Sequence, residues 1–467
     1  MTSNPTRHRT FRPAPRRPFP GERRPSPPAP RIVVVGGGFV GLTLARRLER
    51  RLRRGEAEVV LVDASPSMTY QPFLAEVAGG RIEARHVAVP LRTTLRGTRV
   101  LTGRATAVNH DQRRLHVTLP DGTTMGLDYD ELVLAPGSVS RTQAVPGLAG
   151  HAIGFTTLAD ALRLRDAVLT RLALAADTED VERRRAALAF VVVGGGYTGV
   201  EAMAELQDLA RSTARRYPGL DTGELRFELV ETDAEIMPEL PSRLGAYTRA
   251  RLAGSGITVR LKTQVTSMVD GLVELSDGER FRADTVVWAA GVRGNPLLAR
   301  IGLPVDPRGR LRTRPTLQVD GVAHLWAAGD GAAVPDLAAA GPADVSAPMC
   351  GATAQHAVRQ AKVLARNLLA TLRGRDLVEY RHRDAGSVAG LGLHRGVARI
   401  YGVPLRGLPA WLLHRVYHLA MMPTWGRKER IVLDWTAALL GRRDLTAADL
   451  VPGGLAARTD ARAEVPA

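Results

Sequence analysis

The chain of 467 residues is short of several residue types whose absence excludes whole classes of chemistry. It has one cysteine, Cys350, so it has no internal disulfide and lacks the cysteine pair that thiol-dependent redox enzymes require. No run of 18 uncharged apolar residues occurs, so we expect no transmembrane helix. The eleven histidines are scattered along the chain, so we expect no metal site.

Basic residues are abundant, but nearly all of them are arginine. Three lysines stand beside 61 arginines, and the net charge is +17. Residues 1–30 hold seven arginines, nine prolines and one glutamate without an apolar core, which predicts a disordered extension. The remaining excess charge suits an anionic membrane surface and nucleic acid equally well.

Two glycine-rich fingerprints stand 158 residues apart, RIVVVGGGFVG from residue 31 and FVVVGGGYTG from residue 190. Each is an apolar run of strand length, then G-x-G-x-x-G, then a helix-like segment. Such glycines allow a tight turn and let backbone N–H groups approach a pyrophosphate at a helix N-terminus. Two copies predict two dinucleotides with electrons passing between them. The expected contacts are Gly36, Gly38, Phe39, Gly41, Gly194, Gly196 and Gly199.

An acidic residue follows each fingerprint at the end of the next apolar run. These residues are Asp63 and Glu231, and a carboxylate at this spacing typically holds a ribose hydroxyl. The alternative for either one is a solvated strand end. Glu231 would also repel a 2′-phosphate, which favours NADH over NADPH.

A third motif assigns the two fingerprints to different cofactors. Residues 316–330 run from a polar start through an apolar strand to Gly329-Asp330, and they resemble the second FAD-binding motif of two-dinucleotide flavoproteins. The resemblance gives Asp330 the ribityl–phosphate part of FAD, so the first fingerprint binds FAD and the second binds NADH. Residues 132–137 and 286–291, the latter ending at Gly291, resemble the crossover strands between the two domains.

Over roughly residues 31–445, the chain resembles the type II NADH dehydrogenases. These are single-subunit NADH:quinone oxidoreductases that contain FAD and do not pump protons. The resemblance rests on residues 71–79, 194–206, 354–360 and 386–392 and on the Trp-rich stretch after Gly407. It implies hydride transfer from NADH to FAD, followed by transfer of two electrons to a membrane quinone.

The same resemblance implies catalytic roles for two side chains. Gln355, with Ala354 beside it, matches the quinone-site signature, and its alternative is a capping or surface glutamine. Glu201, placed in the first turn of the NADH-domain helix, would order the nicotinamide–flavin contact; its alternative is a favourable helix-dipole charge. His356 and Arg359 lie where the family varies and receive no role. The role of Gln360 is left open, because the five-residue spacing turns it away from Gln355 on a helix.

We therefore predict an α/β fold with two Rossmann-like dinucleotide-binding domains, the NADH domain being inserted in a discontinuous FAD domain. A C-terminal membrane-associating segment follows. We expect helices over residues 157–175 and 353–372, and we expect Cys350 to be a small packed residue near the flavin. The expected bounds are 1–30 for the extension, 31–150 and 291–375 for the FAD domain, 151–290 for the NADH domain, 376–450 for the membrane and quinone-access region, and 451–467 for a tail.

Residues 405–442 carry apolar stripes flanked by tryptophan and basic residues, which is typical of helices lying in a membrane interface. The alternative is a core-packing or dimer-forming helix pair. We expect peripheral attachment to the cytoplasmic face of the cell membrane. The stripes comprise Leu408, Trp411, Leu412, Tyr417, Leu419, Met422, Ile431, Val432, Trp435 and Leu439, flanked by Arg427, Lys428, Arg430, Arg442 and Arg443.

Two rival functions stay open from sequence alone. One is an NADH-dependent reductase of a soluble acceptor, against which the C-terminal segment argues. The other is a basic flavoprotein that binds nucleic acid, against which the lack of a dense basic patch with interleaved aromatics argues. We therefore expect no nucleic-acid partner, and the oligomeric state, including a homodimer, is left open.

Overall fold

The computed structural model describes residues 29–339, 348–440 and 444–447. Nearly all of the predicted extension (1–30), the whole of the tail (451–467), and Arg442 and Arg443 of the basic flank lie outside the described residues. In chain order the strands are β1 (Arg31–Val35), β2 (Glu58–Asp63), β3 (Ser67–Thr69), β4 (Ala88–Pro90), β5 (Arg99–Thr102), β6 (Arg104–Asn109), β7 (Arg114–Thr118), β8 (Thr124–Asp128), β9 (Glu131–Leu134), β10 (Ser138–Ser140), β11 (Ala152–Gly154), β12 (Ala189–Val193), β13 (Arg226–Val230), β14 (Ile257–Arg260), β15 (Val265–Ser267), β16 (Leu272–Leu275), β17 (Arg280–Arg282), β18 (Thr285–Trp288), β19 (Val292–Gly294), β20 (Leu311–Arg312), β21 (Leu325–Ala327), β22 (Ala332–Ala333), β23 (Gly386–Gly390), β24 (Gly396–Ile400) and β25 (Val403–Arg406).

Two of the long helices begin at a side-chain cap. Thr157 and Asp160 form a reciprocal capping box at the start of the predicted 157–175 helix, and the Thr353 hydroxyl accepts from His356 N at the start of the predicted 353–372 helix. Both predicted helices are confirmed. The helices are α1 (Phe39–Arg51), α2 (Leu74–Ala78), α3 (Leu91–Thr94), α4 (Leu148–His151), α5 (Leu158–Asp177), α6 (Val181–Ala187), α7 (Tyr197–Ala214), α8 (Ser242–Gly254), α9 (Pro296–Arg300), α10 (Ala354–Leu372), α11 (Leu408–Met421) and α12 (Trp425–Leu440).

Two five-stranded parallel sheets form the framework, and this confirms the α/β class. Their strand orders are β21-β9-β1-β2-β5 and β11-β18-β12-β13-β14. In each sheet the strand that leads into a glycine fingerprint is flanked by the strand that ends in Asp63 or Glu231 and by a crossover strand. The apolar runs are buried on both faces, as expected for a parallel sheet covered by helices.

The segments that follow β9 and β18 pair with each other. Strand β10 is antiparallel to β19, with Val139 opposite Arg293. Each predicted crossover segment, 132–137 and 286–291, therefore leads directly into one strand of a shared antiparallel pair.

The C-terminal part consists of the antiparallel sheet β23-β24-β25 followed by α11 and α12. Helix α11 packs on this small sheet, and α12 packs on residues 84–87. Within the described residues, no helix is both long enough and apolar enough to span a bilayer.

The apolar residues of this helix pair divide into two sets. Trp411, Met422 and Ile431 are buried, so the prediction that they belong to a membrane-facing stripe is wrong. Helical periodicity alone gives an apolar face but not its partner, and here part of that face packs on residues of the first 90 positions. Another set stays exposed on the opposite side.

Candidate functional site

The first glycine fingerprint forms a tight cradle at the end of β1. Gly36 has φ +102°, and a Cβ added there would lie 2.1 Å from the carbonyl oxygen of Ala135. A Cβ on Gly41 would lie 1.8 Å from Gly36 O, so only glycine lets α1 pack this closely on the loop. At Gly38 no atom lies within 4 Å of an added Cβ, which leaves open space at the N-terminus of α1.

The second fingerprint repeats this geometry at the equivalent glycines. Gly194 has φ +111°, and its added Cβ would lie 2.5 Å from Ala289 O. The third glycine, Gly199, would place a Cβ 1.9 Å from Gly194 O, while Gly196 faces open space. The chain thus has two equivalent positions where helix N-terminal N–H groups are free to receive a pyrophosphate.

The two predicted ribose carboxylates also occupy equivalent places. Gly37 N donates to Asp63 Oδ2 at 2.5 Å, and Gly195 N donates to Glu231 Oε2 at 2.5 Å. Burial raises the pKa of Asp63, against the opposing hydrogen bonds from the Gly37 and Ser65 amides. Hydroxyl donors of a ribose would stabilise the charged form of such a carboxylate, so these residues fit a dinucleotide.

Asp330 lies beyond β21, at the same edge as the first fingerprint. Its Oδ2 accepts from the hydroxyl of Ser138 at 3.0 Å, and burial raises its pKa. Gly329 N donates to Gln360 Oε1 at 2.7 Å, and Gln360 is buried. Sequence reasoning missed Ser138 and left Gln360 uncertain; the side chain of Gln360 holds the loop that carries Asp330.

Gln355 lies in the first turn of α10, next to Ala354, but it faces a different way from Gln360. Its Nε2 donates to Gly386 O at 3.2 Å, at the start of β23. The C-terminal segment that resembles the quinone region therefore contacts the signature glutamine directly. The side chain is half-buried.

Glu201 is the fifth residue of α7, so its predicted place in the first turn is wrong. Its carboxylate instead faces the C-terminal segment. Gly390 N donates to Glu201 Oε1 at 2.9 Å, and His414 Nε2 lies 3.1 Å from the same oxygen. Burial alone lowers the pKa of His414, but the nearby Glu201 carboxylate outweighs it and the pKa is raised. Below the raised pKa of His414, these two groups form an ion pair.

A chain of aromatic and imidazole rings continues from this pair towards the first fingerprint. His414 and His418 are one helical turn apart on α11, with ring centroids at 4.6 Å. His418 Nδ1 lies 3.2 Å from Tyr70 OH, and the Tyr70 ring meets Phe39 edge-on at 5.6 Å. Burial, and next the charge of His414, keeps the pKa of His418 well below 6.5. Sequence reasoning missed this pair, although the i, i+4 spacing of His414 and His418 could have shown that they share one helix face.

The fold also assembles a donor group that sequence spacing did not reveal. Donor atoms of Asp336, Cys350 and His356 lie within 4.8 Å of one another, and His356 Nδ1 lies 3.0 Å from Tyr380 OH. This proximity is geometric and does not test the expectation of no metal site, which stays a prediction. The predicted packing role of Cys350 agrees with its burial, which raises the pKa of its thiol to about 12.

Comparisons with known proteins agree with this arrangement. Residues 30–361 match the family described as pyridine nucleotide-disulphide oxidoreductase. The chain is 32% identical over 419 residues to the demethylphylloquinone reductase NdbB of Synechocystis, covering 88% of this chain and 97% of that protein. It is 30% identical over 428 residues to the type II NADH:quinone oxidoreductase Ndh of Mycobacterium tuberculosis, covering 88% and 89%.

A solved structure gives the same fold at low sequence identity. It is NDH2 from Plasmodium falciparum in complex with NADH, with a TM-score of 0.82, 17% identity and coverage of 89% of this chain and 99% of that one. At this identity the likeness concerns the fold alone.

Proposed function

The chain belongs to the type II NADH:quinone oxidoreductases of the pyridine nucleotide-disulphide oxidoreductase family, and from that membership we propose how its residues act. It uses FAD and NADH and transfers electrons from NADH to a quinone. The observation that carries the assignment to residues is the pair of equivalent glycine cradles with Asp63 and Glu231 at their edges. The relatives named for quinone reduction disfavour both a soluble acceptor and a nucleic-acid role.

The proposed contacts of the two cofactors come from separate sets of residues. Around FAD, the proposed contacts are the Gly36–Gly41 loop with Phe39, the carboxylates of Asp63 and Asp330, Gly329, and Ala354 and Gln355 at the start of α10. Around NADH, they are the Gly194–Gly199 loop, Glu231 and Gly291. FAD supplies the two-electron chemistry between the hydride donor and the quinone. The domain bounds given above remain our proposed division.

The protein residues contribute positioning and charge. The N-terminal end of α10 carries a positive partial charge, which would stabilise negative charge beside Ala354 and Gln355. In this proposal the Gln355 Nε2 group leaves the Gly386 carbonyl and donates to a carbonyl of the quinone instead. Glu201 and His414 hold the C-terminal segment against α7, so that the nicotinamide end of NADH and the quinone region keep a fixed separation.

The role of Gln355 can be separated from that of Gln360 by rapid-mixing kinetics. Gln355→Ala should leave reduction of the bound flavin by NADH unchanged and slow its reoxidation by a short-chain quinone. Gln360→Ala should instead weaken FAD retention, because Gly329 N loses its buried acceptor. A selective loss of the NADH half-reaction in Gln355→Ala would show that the quinone site is misassigned.

We also propose peripheral membrane attachment, through the exposed members of the predicted stripes together with exposed apolar neighbours that the stripes did not include. On α11, Leu408, Leu412 and Val416 follow one another at i, i+4 spacing and are 49%, 49% and 62% exposed. Helix α12 adds further exposed side chains. They are Trp425, Val432, Leu433, Leu439 and Leu440. At roughly 1.5–3 kcal/mol for each fully buried large apolar side chain, this face is sufficient to hold the protein on a bilayer.

The membrane proposal is tested on the exposed face alone. Leu412→Ser/Val416→Ser/Leu433→Ser should lose flotation with phosphatidylcholine vesicles and lose reduction of a long-chain quinone, while NADH still bleaches the flavin. The control Val181→Ser, which changes an exposed apolar residue outside the C-terminal helices, should keep both vesicle flotation and reduction of the long-chain quinone. Flotation of the triple variant at the wild-type level would refute the attachment face. Protease shaving of inside-out membrane vesicles tests the proposed cytoplasmic side.

A further inference from the structure

A cavity of about 430 Å³ opens beside the solvent-facing side of α10. Its walls are α10 and residues 380–385, and Tyr401 stands at its edge. This volume lies within the range of small-molecule sites in proteins. The cavity lies one or two helical turns beyond Gln355 and contains none of the residues assigned above to FAD, NADH or quinone.

The cavity wall is strongly basic. Arg359, Lys362 and Arg383 line it, and Arg359 donates to the backbone carbonyl of Arg383, which fixes their separation. One carboxylate, Asp384, is also part of the wall, but it pairs with Arg399 at 2.6 Å. Among the described residues, no carboxylate lies within ion-pair distance of Lys362 or Arg383. The charges of Lys362 and Arg383 are therefore not neutralised by a carboxylate of the described residues.

The same positive charge continues over the neighbouring helix. Helices α1 and α10 pack together along their lengths. Burial and then the charges of Arg47 and Arg359 lower the pKa of Lys362. Burial, and next the charges of Arg51, Arg50 and Arg366, lowers the pKa of Arg47. Cations that destabilise one another in this way gain most from a bound anion.

We propose that this cavity binds the phosphate of an anionic membrane lipid headgroup. Two guanidinium groups and an ammonium line it, with Arg381, which pairs with Glu379 at 3.3 Å, as a fourth cation, and guanidinium forks match phosphate oxygens. The pyrophosphates of the two dinucleotides already have the glycine cradles, and a quinone carries no charge for such a wall to recognise. The anion must therefore come from another source.

The position of the cavity favours a lipid as that source. Tyr401, 82% exposed, stands at its edge, and Val403, 58% exposed, follows on the strand that leads into α11. On α1, whose arginines extend the basic surface of the cavity, Arg46 donates to Pro423 O in the turn between α11 and α12. The basic residues of the cavity and of α1 thus adjoin the C-terminal helices at two points, the strand before α11 and the turn after it. Basic pockets that lie at the membrane surface bind acidic lipid headgroups.

This inference rests on the proposed membrane attachment, and the experiment keeps the two apart. Full-length, FAD-loaded protein is floated with vesicles of phosphatidylcholine alone and with vesicles that also contain phosphatidylglycerol. Lys362→Ala/Arg383→Ala is compared with Arg183→Ala/Arg300→Ala, which removes two exposed cations from α6 and α9. Reduction of the flavin by NADH checks that each variant is folded.

We expect the cavity variant to bind phosphatidylcholine as the wild type does, but to lose most of the extra binding that phosphatidylglycerol brings. At about fivefold for each cation, that loss exceeds tenfold, whereas the control loses little. An equal loss in both variants would mean diffuse charge attraction and would overturn the site. Tight binding of inorganic phosphate without vesicles, lost in the cavity variant, would overturn the lipid source. If the wild type binds neither vesicle, the attachment proposal itself fails and this inference fails with it.

Discussion

His414 Nε2 and Glu201 Oε1 lie 3.1 Å apart, and this contact joins α11 of the C-terminal segment to the helix that follows the second glycine fingerprint. Both side chains are largely removed from solvent, the imidazole almost completely. In such a place, an ion pair is favourable only while both charges are present. The contact therefore couples the protonation of one histidine to the docking of the C-terminal helices.

The Glu201–His414 pair should give the folded protein a pH-dependent stability. Because the folded pKa of His414 is raised, its contribution is fully present below the unfolded value of 6.5 and is lost as pH rises through the folded pKa. Glu201→Gln should remove this decline. Thermal unfolding measured at a series of pH values checks it, with His116→Gln on β7 as the control that should keep the wild-type profile. An unchanged profile in Glu201→Gln would contradict the pairing.

The Glu76–Arg415 pair should hold the C-terminal helices on the first part of the chain. Arg415 lies 2.9 Å from Glu76 and is sandwiched between the Trp411 and Trp435 rings, with distances to the ring centroids of 4.2 and 4.6 Å. Arg415→Met leaves the Glu76 carboxylate buried without this partner, which costs about 3–5 kcal/mol. Denaturant unfolding measures the loss. Arg430→Met, which changes an exposed cation of α12, should stay within about 0.5 kcal/mol of the wild type.

The two third glycines should separate FAD binding from NADH binding. Gly41→Ala forces a Cβ against Gly36 O, and strain of about 1–3 kcal/mol should weaken FAD binding by roughly tenfold or more. Gly199→Ala should leave the flavin content normal and raise the NADH concentration needed for its reduction. Flavin content per chain and rapid-mixing kinetics measure the two effects. Gly254→Ala, where an added Cβ meets nothing within 4 Å, is the control.

Glu231 should determine the preference for NADH. Its carboxylate is held by the amides of Gly195 and Asp233 at 2.5 and 2.9 Å, so its charge cannot swing away from an incoming 2′-phosphate. Because like charges in contact cost several kcal/mol, Glu231→Gln should raise kcat/KM for NADPH by roughly tenfold or more. Glu235→Gln, exposed in the same loop, should change neither substrate. Equal kcat/KM for both nucleotides in the wild type would contradict this role.

The sequence predicted the parts of the molecule that depend on local rules. The fingerprints at Gly36 and Gly194, the capped helices at Thr157 and Thr353, and the parallel strands all follow from backbone geometry over a few residues. These rules act within one turn or one strand, so their signal is visible without the fold.

Contacts between distant segments could not be predicted in the same way. His414 meets Glu201, and Asp336 meets His356, only because separate elements are brought together. The periodicity of α11 and α12 revealed apolar faces but could not tell Trp411, which is buried, from Leu412, which is exposed. The side that packs depends on the neighbouring element and not on the stripe itself.

The central claim is that electrons pass from NADH to quinone through one FAD held by the Gly36 cradle, Asp63 and Asp330. The most direct measurement is anaerobic rapid mixing of the purified yellow protein, first with NADH and then with a short-chain quinone, while the flavin absorbance is followed. The account predicts that about one NADH per flavin bleaches the absorbance and that the quinone restores it at a rate that supports turnover. A folded protein that binds no flavin when incubated with FAD, or a bleached flavin that the quinone does not reoxidise, would contradict it.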